Sequence, residues 1–301
     1  MRIGVTGATG FLGRYLVAHL VGQGHHCRCW YRPSSDRGGF ESMEASIEWV
    51  EGSLGQPESA QELVEGCEAV VHAALEHSGG GFRGGEGDLL PFVETNVLGT
   101  IRLIEESRRA DVARFVFIST CAVHETILDD RPLDEAHPLW PGSHYGAHKA
   151  AIEAFVHSYG RGHGYPICAL RPTGIYGMAR SVRASKWFDL IGKVARGEDV
   201  SCKRGGKEVH AADVARAVAL LLSADGIAGE AYSCYDRYIS DHEVATIAGE
   251  ITGSRSEIRG ESPSPKHQIV TDKLQALGMR FGGRPLLERT IREILEAAGP
   301  V

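Results

Sequence analysis

The sequence lacks an excess of positive charge and any basic run dense enough to follow a phosphate backbone. Lys and Arg total 32 against 39 Asp and Glu, so the formal net charge is -7. Proteins that bind nucleic acid use clustered Lys and Arg to neutralise phosphates. The composition therefore argues against nucleic acid as a partner.

Long apolar runs are also missing, and we expect no leader peptide. No stretch approaches the ~18 consecutive apolar residues of a membrane-spanning helix. The first residues, MRIGVTGATG, contain neither a basic leader nor a small-residue cleavage site. We therefore expect no membrane association and a cytoplasmic location.

The seven cysteines show no pairing pattern. They are scattered and odd in number, and Cys27 and Cys29 have no second pair with which to form a zinc site. We expect reduced, mostly buried thiols and no bound metal.

What the sequence does contain is a regular alternation of apolar runs and helical patterns in its first half. The runs IGVTG, HCRCWY, AVVHAA, RFVFIST and PICALRP predict strands, and the segments between most of them have helical periodicity. This βα repetition predicts an α/β fold with a doubly wound, Rossmann-type parallel sheet. The pattern changes after Pro172, which predicts one domain at residues 1–172 and a smaller lobe at 173–301 with segments returning to the sheet.

A glycine fingerprint follows the first predicted strand. TGATGFLG places Gly7, Gly10 and Gly13 between that strand and a helix. Glycines at this spacing permit a tight turn and a close backbone approach to a pyrophosphate at the helix N-terminus. Residues 1–172 are therefore predicted to bind a dinucleotide, and residues 173–301 mainly a substrate.

The end of the second predicted strand indicates which dinucleotide. An acidic residue there normally binds the ribose of NAD, but this chain has Tyr31, followed by Arg32 and two serines. A guanidinium suits a 2′-phosphate, which favours NADP. Asp36 lies close enough in the sequence to turn towards the ribose, so NAD stays open.

Two residues one helical turn apart predict a catalytic pair. In HYGAHKAAIEAF, Tyr145 and Lys149 share one helix face. A nearby ammonium lowers the pKa of a phenol and makes it a usable proton donor and acceptor. The preceding strand ends in Ser119 and Thr120, and one of these hydroxyls is expected to bind a substrate carbonyl.

With these motifs the chain resembles the extended short-chain dehydrogenases/reductases, also called the NAD-dependent epimerase/dehydratase family. The resemblance rests on TGATGFLG, AVVHAAL, TNVLGT, FVFIST, YGAHK, LRPTGIYG and VHAADVA, in this order along the chain. It implies a Rossmann domain, a small substrate lobe and a homodimer. It also implies that Tyr145 is the acid/base, Lys149 the pKa-lowering and ribose-binding residue, and Thr120 the active-site hydroxyl.

The resemblance extends to cofactor contacts, and the residues themselves suggest substrate contacts. The cofactor is expected to contact Arg32 and, in addition, Gly7, Thr9, Gly10, Phe11, Leu12, Gly13, Ser53, Leu54, His72, Ala73, Ala74, Asn96, Lys149, Pro172 and Thr173. Substrate contacts are expected from Phe82, Arg83, Ser119, His124 and Arg180. Phe82 and Arg83 belong to the glycine-rich segment HSGGGFRGGEGD, which we predict to be a mobile crossover loop able to act as a lid.

Departures from the family pattern leave the reaction open. The chain has VHE where VYG is usual, and RGGKEVH lacks the Arg-Asp pair common in sugar-nucleotide enzymes. One prediction is an epimerase or dehydratase of a sugar or nucleotide sugar, and another is a reductase of a non-nucleotide ketone or aldehyde. The alternative to both is a non-catalytic, NADP-binding redox sensor. Asp213 of VHAADVA is expected to cap a helix rather than to act in the site.

Overall fold

A seven-stranded parallel sheet organises the first of two units in the chain. The computed structural model describes residues 1–77, 84–261 and 264–299. Unit 1 comprises Met1–Pro172, Val214–Cys234 and Ile269–Met279, and unit 2 comprises Thr173–Asp213, Tyr235–Gln268 and Arg280–Val301.

The strands are β1 Arg2–Thr6, β2 His26–Tyr31, β3 Ile47–Glu51, β4 Ala69–His72, β5 Arg114–Ile118, β6 Ile167–Pro172, β7 Gly174–Tyr176, β8 Val200–Ser201, β9 Gly205–His210, β10 Glu230–Cys234, β11 Arg237–Ser240 and β12 Ile258–Arg259. The helices are α1 Phe11–Gly22, α2 Pro57–Val64, α3 Leu89–Val93, α4 Gly99–Arg109, α5 His144–His157, α6 Phe188–Ala195, α7 Ala211–Ser223, α8 Asp241–Thr252, α9 Asp272–Ala276 and α10 Gly283–Ala298.

The strand order of the large sheet places a ligand crevice beside β1. The order is β10-β6-β5-β4-β1-β2-β3, and every neighbouring pair is parallel. The chain winds from β1 outwards in one direction and then returns to the other side of β1 with β4. Ligands of such sheets bind at this switch point, outside the carboxyl ends of the strands. The predicted Rossmann-type α/β fold is confirmed.

The central strands are buried on both faces. All residues of β4 and β6 are buried, as are the last four of β5. Helices therefore cover the sheet on both sides, and the strands read as continuous apolar runs.

Strand β3, unlike the other strands of residues 1–172, is missing from the apolar runs that predict the sheet. Its sequence IEWVE has two glutamates among three apolar residues, and Val50 is its one buried residue. It lies at the edge of the sheet next to β2, where a single neighbour and a solvent-facing side allow polar residues. A search for continuous apolar runs does not detect such a strand.

The helical segment from Leu89 to Arg109 is divided in the structure. Between α3 and α4 the chain forms a π-helical turn at Glu94–Leu98. Asn96, a predicted cofactor contact, lies in this turn and is buried. Single π-helical turns occur frequently at functional sites.

Unit 2 has its own sheets and core. One sheet has the order β11-β9-β7 and the other pairs β12 with β8. Its core contains side chains of α6, α8 and α10, among them Ile191, Val194, Val244, Leu287 and Ile291. In the described part of the chain, no helix combines the length and apolar character needed to cross a membrane.

The start of α7 differs from the sequence prediction. The helix begins at Ala211, so Asp213 lies inside its first turn and cannot be the N-cap. His210 takes that role, because its Nδ1 accepts a hydrogen bond from the Ala212 amide at 3.0 Å. The buried Asp213 carboxylate accepts from the Gly282 amide at 2.9 Å and so holds the segment before α10. Its role is structural, as expected, but through a different contact.

Candidate active site

The glycine turn after β1 forms a cradle that side chains would fill. Gly7 has φ +70°, and a Cβ on it would lie 2.9 Å from backbone atoms of Ala73 and Ala74. A Cβ on Gly13 would lie 2.0 Å from the Gly7 carbonyl oxygen. Helix α1 starts at Phe11, and its N-cap residue is Gly10. Among the described residues, no side-chain hydrogen bond caps the helix at this position. Its first amide groups are therefore available to an anion, and this fits a dinucleotide pyrophosphate.

Three predicted contacts lie in or beside this cradle. Thr9 is half-buried, and its carbonyl oxygen accepts from Nε of Arg14 at 3.1 Å. Phe11 and Leu12 form the first turn of α1, and the Phe11 side chain is exposed. The turn therefore presents mainly backbone groups and the Phe11 ring.

His72, at the end of β4, contributes through the backbone that follows it. Its Nδ1 lies 2.7 Å from Oγ1 of Thr6, and its Nε2 lies 2.8 Å from Oγ1 of Thr100. The same Thr6 oxygen accepts from the amides of Ala73 and Ala74. Burial lowers the pKa of His72 to about 3, with Lys149 adding to the effect. The neutral, buried ring thus fixes the segment that contacts Gly7.

Asn96 holds the next part of that segment. Its side-chain oxygen accepts from the Glu76 amide at 2.8 Å, and its Nδ2 donates to the Glu76 carbonyl at 2.9 Å. Nδ2 also donates to the Phe92 carbonyl at 3.0 Å. The amide group of Asn96 is therefore used to position Glu76.

Two arginines lie beyond the end of β2. Nη1 of Arg32 is 2.5 Å from Oε2 of Glu76, and the Arg37 guanidinium lies 4.3 Å above the Tyr31 ring. Asp36 is turned the other way: its Oδ1 accepts from the Gly38 amide at 2.8 Å, and its Oδ2 is 3.5 Å from Arg14. The end of β2 therefore carries two arginines, and one of them is paired with Glu76.

The remaining predicted cofactor contacts follow β3 and β6. Ser53 Oγ is 3.4 Å from Oε1 of Gln56, and Leu54 is buried under α4, where its carbonyl lies close to Gly99. Pro172 is the last residue of β6. Thr173 begins unit 2, and its buried hydroxyl has no hydrogen-bond partner among the described residues.

Helix α5 carries the predicted catalytic pair in its first two turns. Ser143 caps the helix by accepting from the Gly146 amide, and Glu86 accepts from the Tyr145 amide at 3.0 Å. Lys149 is almost fully buried, and its Nζ donates to the Ile118 carbonyl at 2.7 Å. Burial lowers the pKa of Lys149 to about 7, against the opposing effect of Glu153.

The end of β5 supplies a hydroxyl beside this helix. Thr120 is buried, and its Oγ1 accepts from the Ala122 amide at 3.1 Å. A hydroxyl that accepts a backbone hydrogen bond keeps its own proton for donation. This proton suits a carbonyl oxygen.

Ser119 and His124, both predicted to contact substrate, are bound within a buried ionic network. Ser119 donates to Glu153, whose carboxylate accepts Nε of Arg171 at 2.9 Å and Nη2 at 2.5 Å. Nη1 of Arg171 donates to Nε2 of His124 at 3.1 Å, so Nδ1 of that ring carries the proton and faces the Pro138 carbonyl. Burial, followed by Arg171, lowers the pKa of His124 to about 4.

The other predicted substrate residues are Arg180, Phe82 and Arg83. Arg180 is exposed in unit 2. Phe82 and Arg83, with the central part of the glycine-rich segment, lie outside the described residues. Its last residues are described, and through Glu86 they contact the start of α5.

Sequence reasoning missed Glu76, Glu86, Glu153 and Arg171. Two signals pointed to the last pair. Arg171 is a charged residue inside the otherwise apolar run PICALRP, and Glu153 follows Lys149 by one turn on a buried helix face. A buried charge needs a partner, so each predicts the other.

The fold and the site together define a dinucleotide-binding α/β enzyme. The chain belongs to the family described as "NAD dependent epimerase/dehydratase family", which matches residues 3–234. NAD(P) is the cofactor typical of this family, and the glycine cradle fits it.

Individual relatives differ in their reactions. The chain is 31% identical over 268 residues to the 4-hydroxy-2-methyl-3-oxo-4-farnesyl-3,4-dihydroquinoline-1-oxide ketoreductase of Stigmatella aurantiaca, covering 86% of this chain and 75% of that protein. It is 28% identical over 298 residues to a dTDP-glucose 4,6-dehydratase of Actinoplanes sp., covering 91% and 86%. UDP-glucose 4-epimerase of Thermotoga maritima, solved with UDP-glucose, has a TM-score of 0.80 at 22% identity, covering 99% of this chain and 100% of that one. The last comparison shows the shared fold.

Proposed function

We propose that this enzyme is an NADP(H)-linked reductase of a ketone or aldehyde on a small, non-nucleotide substrate. The observation that carries the proposal is the presence of two arginines at the end of β2. Arg32 and Arg37 lie there, while Asp36 is turned towards Arg14 and the Gly38 amide. A guanidinium is the group suited to a 2′-phosphate.

A second observation, in unit 2, argues against a nucleotide diphosphate. Glu208 lies in β9, within the segment that lacks the Arg-Asp pair. It is buried, and its Oε1 lies 2.5 Å from Nζ of Lys186. Its Oε2 has no hydrogen-bond partner among the described residues. A carboxylate repels a diphosphate, and this one already forms an ion pair with the neighbouring lysine. This supports a substrate without phosphate groups, as does the similarity to a ketoreductase.

The roles of the chain's own residues follow from the geometry. A bound NADPH would supply hydride to the carbonyl carbon. Thr120 would donate a hydrogen bond to the carbonyl oxygen, and the Tyr145 hydroxyl would deliver the proton. Lys149 lies on the same helix face as Tyr145 and donates a hydrogen bond to the Ile118 carbonyl. Its ammonium would stabilise the tyrosinate that remains. The Glu153 and Arg171 pair would keep the end of β5 in place.

We also propose a cytoplasmic homodimer in which residues 1–172 bind the dinucleotide and 173–301 mainly the substrate. Leu98, just before α4, and Phe155, on α5, are large exposed apolar side chains. Exposed apolar side chains on adjoining helices favour contact with a second copy. Light scattering on the purified protein tests the dimer.

The test of the reaction class is the cofactor itself. Mass spectrometry of the purified protein would identify any retained dinucleotide, and titration would compare NADPH with NADH. A reductase should bind NADPH in an exchangeable form and consume it with a carbonyl compound. Tightly retained NAD and no net oxidation of cofactor would instead support an epimerase or dehydratase, which the similarity to a dTDP-glucose 4,6-dehydratase favours. Binding of neither dinucleotide would overturn the proposal.

A further inference from the structure

The Arg32–Glu76 ion pair crosses the carboxyl end of β1. Strands β2 and β4 are the two neighbours of β1 in the sheet. Arg32 directly follows β2, and Glu76 lies four residues beyond the end of β4. The glycine turn follows β1 between them. The pair therefore spans the edge at which a dinucleotide is bound in this fold.

The position of Glu76 is fixed by a buried residue. Both backbone polar groups of Glu76 bond to the side chain of Asn96, which is 1% exposed and lies in the π-helical turn. Thr100 donates to the Asn96 carbonyl at 2.6 Å and ties that turn to α4. The loop after β4 is therefore built so that its Glu76 carboxylate reaches Arg32.

Arg32 is held through its own backbone. Its amide donates to Oγ of Ser35 at 2.9 Å, which fixes the backbone, while its side chain is about half exposed. The guanidinium can therefore exchange partners without a change in the main chain.

We propose that Glu76 supplies the carboxylate that β2 lacks and that the Arg32–Glu76 pair sets the choice between NADP and NAD. This inference rests on the proposed dinucleotide-dependent function. With NADP, the 2′-phosphate takes Arg32 from Glu76, and the freed carboxylate repels the phosphate. With NAD, the pair stays intact and Glu76 accepts hydrogen bonds from the ribose hydroxyls. Arg32 thus favours the phosphorylated cofactor, and Glu76 limits that preference.

The test is a titration of the full-length protein with NADPH, NADH and adenosine 2′,5′-bisphosphate. Glu76→Gln removes the charge and keeps the shape. We expect it to bind NADPH and the bisphosphate about fivefold more tightly and NADH about fivefold more weakly. Arg32→Gln should weaken NADPH and the bisphosphate by about tenfold and leave NADH nearly unchanged. Glu106→Gln breaks another surface pair, with Arg109 on α4, and is the matched control.

The outcomes separate this inference from the proposed function. If the wild-type protein binds neither dinucleotide, both are overturned. If it binds NADPH or NADH and the ratio of their dissociation constants in Glu76→Gln stays within about twofold of wild type, the role of Glu76 is overturned alone. An equal shift in Glu106→Gln would likewise overturn it, because the effect would then reflect net charge. The bisphosphate lacks the nicotinamide, so its response reports the adenosine end only.

Discussion

Two arginine–glutamate pairs in unit 1 have the same chemistry and opposite surroundings. Arg171 and Glu153 are 1% and 0% exposed, and their carboxylate and guanidinium share three hydrogen bonds. Arg32 and Glu76 are 53% and 50% exposed and share one short contact. The buried pair joins the predicted catalytic helix α5 to β6, and the exposed pair lies at the adenosine end of the predicted cofactor site.

The difference in exposure determines what each pair can do. A buried ion pair cannot give up a partner without leaving an unpaired charge in a medium of low dielectric constant. It therefore acts as a fixed support. An exposed pair contributes little to stability, because water solvates each charge after separation. It is therefore free to exchange a partner for a ligand.

Breaking the buried pair should have the largest effect on stability. Arg171→Met leaves Glu153 without its cation, and we expect the free energy of unfolding to fall by about 3–5 kcal/mol. Urea denaturation measures it. The double variant Arg171→Met, Glu153→Met removes both charges and should recover much of the loss, since burying an apolar pair is often no less stable. A loss below about 1 kcal/mol in the single variant would contradict the fixed role.

The chemical step should depend on Tyr145 more than on any cofactor contact. Tyr145→Phe keeps the ring and the backbone amide that Glu86 binds, but it removes the proton donor. We expect turnover of a carbonyl substrate to fall about 10²–10⁴-fold, with NADPH binding unchanged. Cofactor oxidation by a panel of ketones and aldehydes measures this.

The control for that variant is Tyr159→Phe, beyond the end of α5, which removes a hydroxyl in the π-helical turn Ser158–Gly162. It should keep turnover. If Tyr145→Phe also kept turnover, the catalytic role would be wrong. The redox sensor would be supported if the wild-type protein bound NADPH, reduced no carbonyl compound and changed its binding to a partner protein when NADPH was bound.

Acid should lower the stability of the fold through three buried histidines, one of which, His124, contacts the buried pair. His72, His124 and His148 have pKa values lowered by burial from 6.5 to about 3, about 4 and about 2. Below pH 6.5 these histidines become protonated in the unfolded chain but stay neutral in the folded protein. Stability therefore falls as the pH falls. Linkage gives about 1 kcal/mol for each histidine between pH 6.5 and pH 5.5.

Denaturation at both pH values measures this slope. His124→Gln should reduce it by about a third, whereas His163→Gln changes an exposed ring and should leave it as in wild type. A slope that His124→Gln does not alter would show that this ring is not the neutral acceptor for Arg171.

The sequence predicted the parts of the fold that depend on local pattern. Gly7 and Gly13 mark the turn after β1, and Tyr145 and Lys149 lie on the predicted helix, because spacing of two to four residues determines such features. Contacts between distant segments were not predictable in this way. Glu76 meets Arg32 from 44 positions away and Glu86 meets Tyr145 from 59. Such pairs depend on strand order, which periodicity does not contain.

Local competition explains the difference at α7, and packing explains why the network of Ser119 and His124 was not predicted. At the start of α7, both His210 and Asp213 had side chains able to accept an amide proton, and the preference for Asp as an N-cap did not account for the bond that Asp213 makes with Gly282. Ser119 and His124 were predicted to face a substrate because they are polar and follow β5. Their partners, Glu153 and Arg171, lie on α5 and β6, so the network becomes visible only when these elements are packed together.

The smallest effect on stability is expected at the exposed pair. Arg32→Ala and Glu76→Ala should each change the free energy of unfolding by about 0–1 kcal/mol, with a coupling energy in the double variant of the same size. The coupling should vanish near 1 M salt, where the Debye length is about 3 Å. Urea denaturation of the four proteins at low and high salt measures it. A coupling energy as large as that of the buried pair would mean that separating Arg32 from Glu76 costs too much free energy for a phosphate to replace the carboxylate. The exchange proposed for the two cofactors would then be wrong.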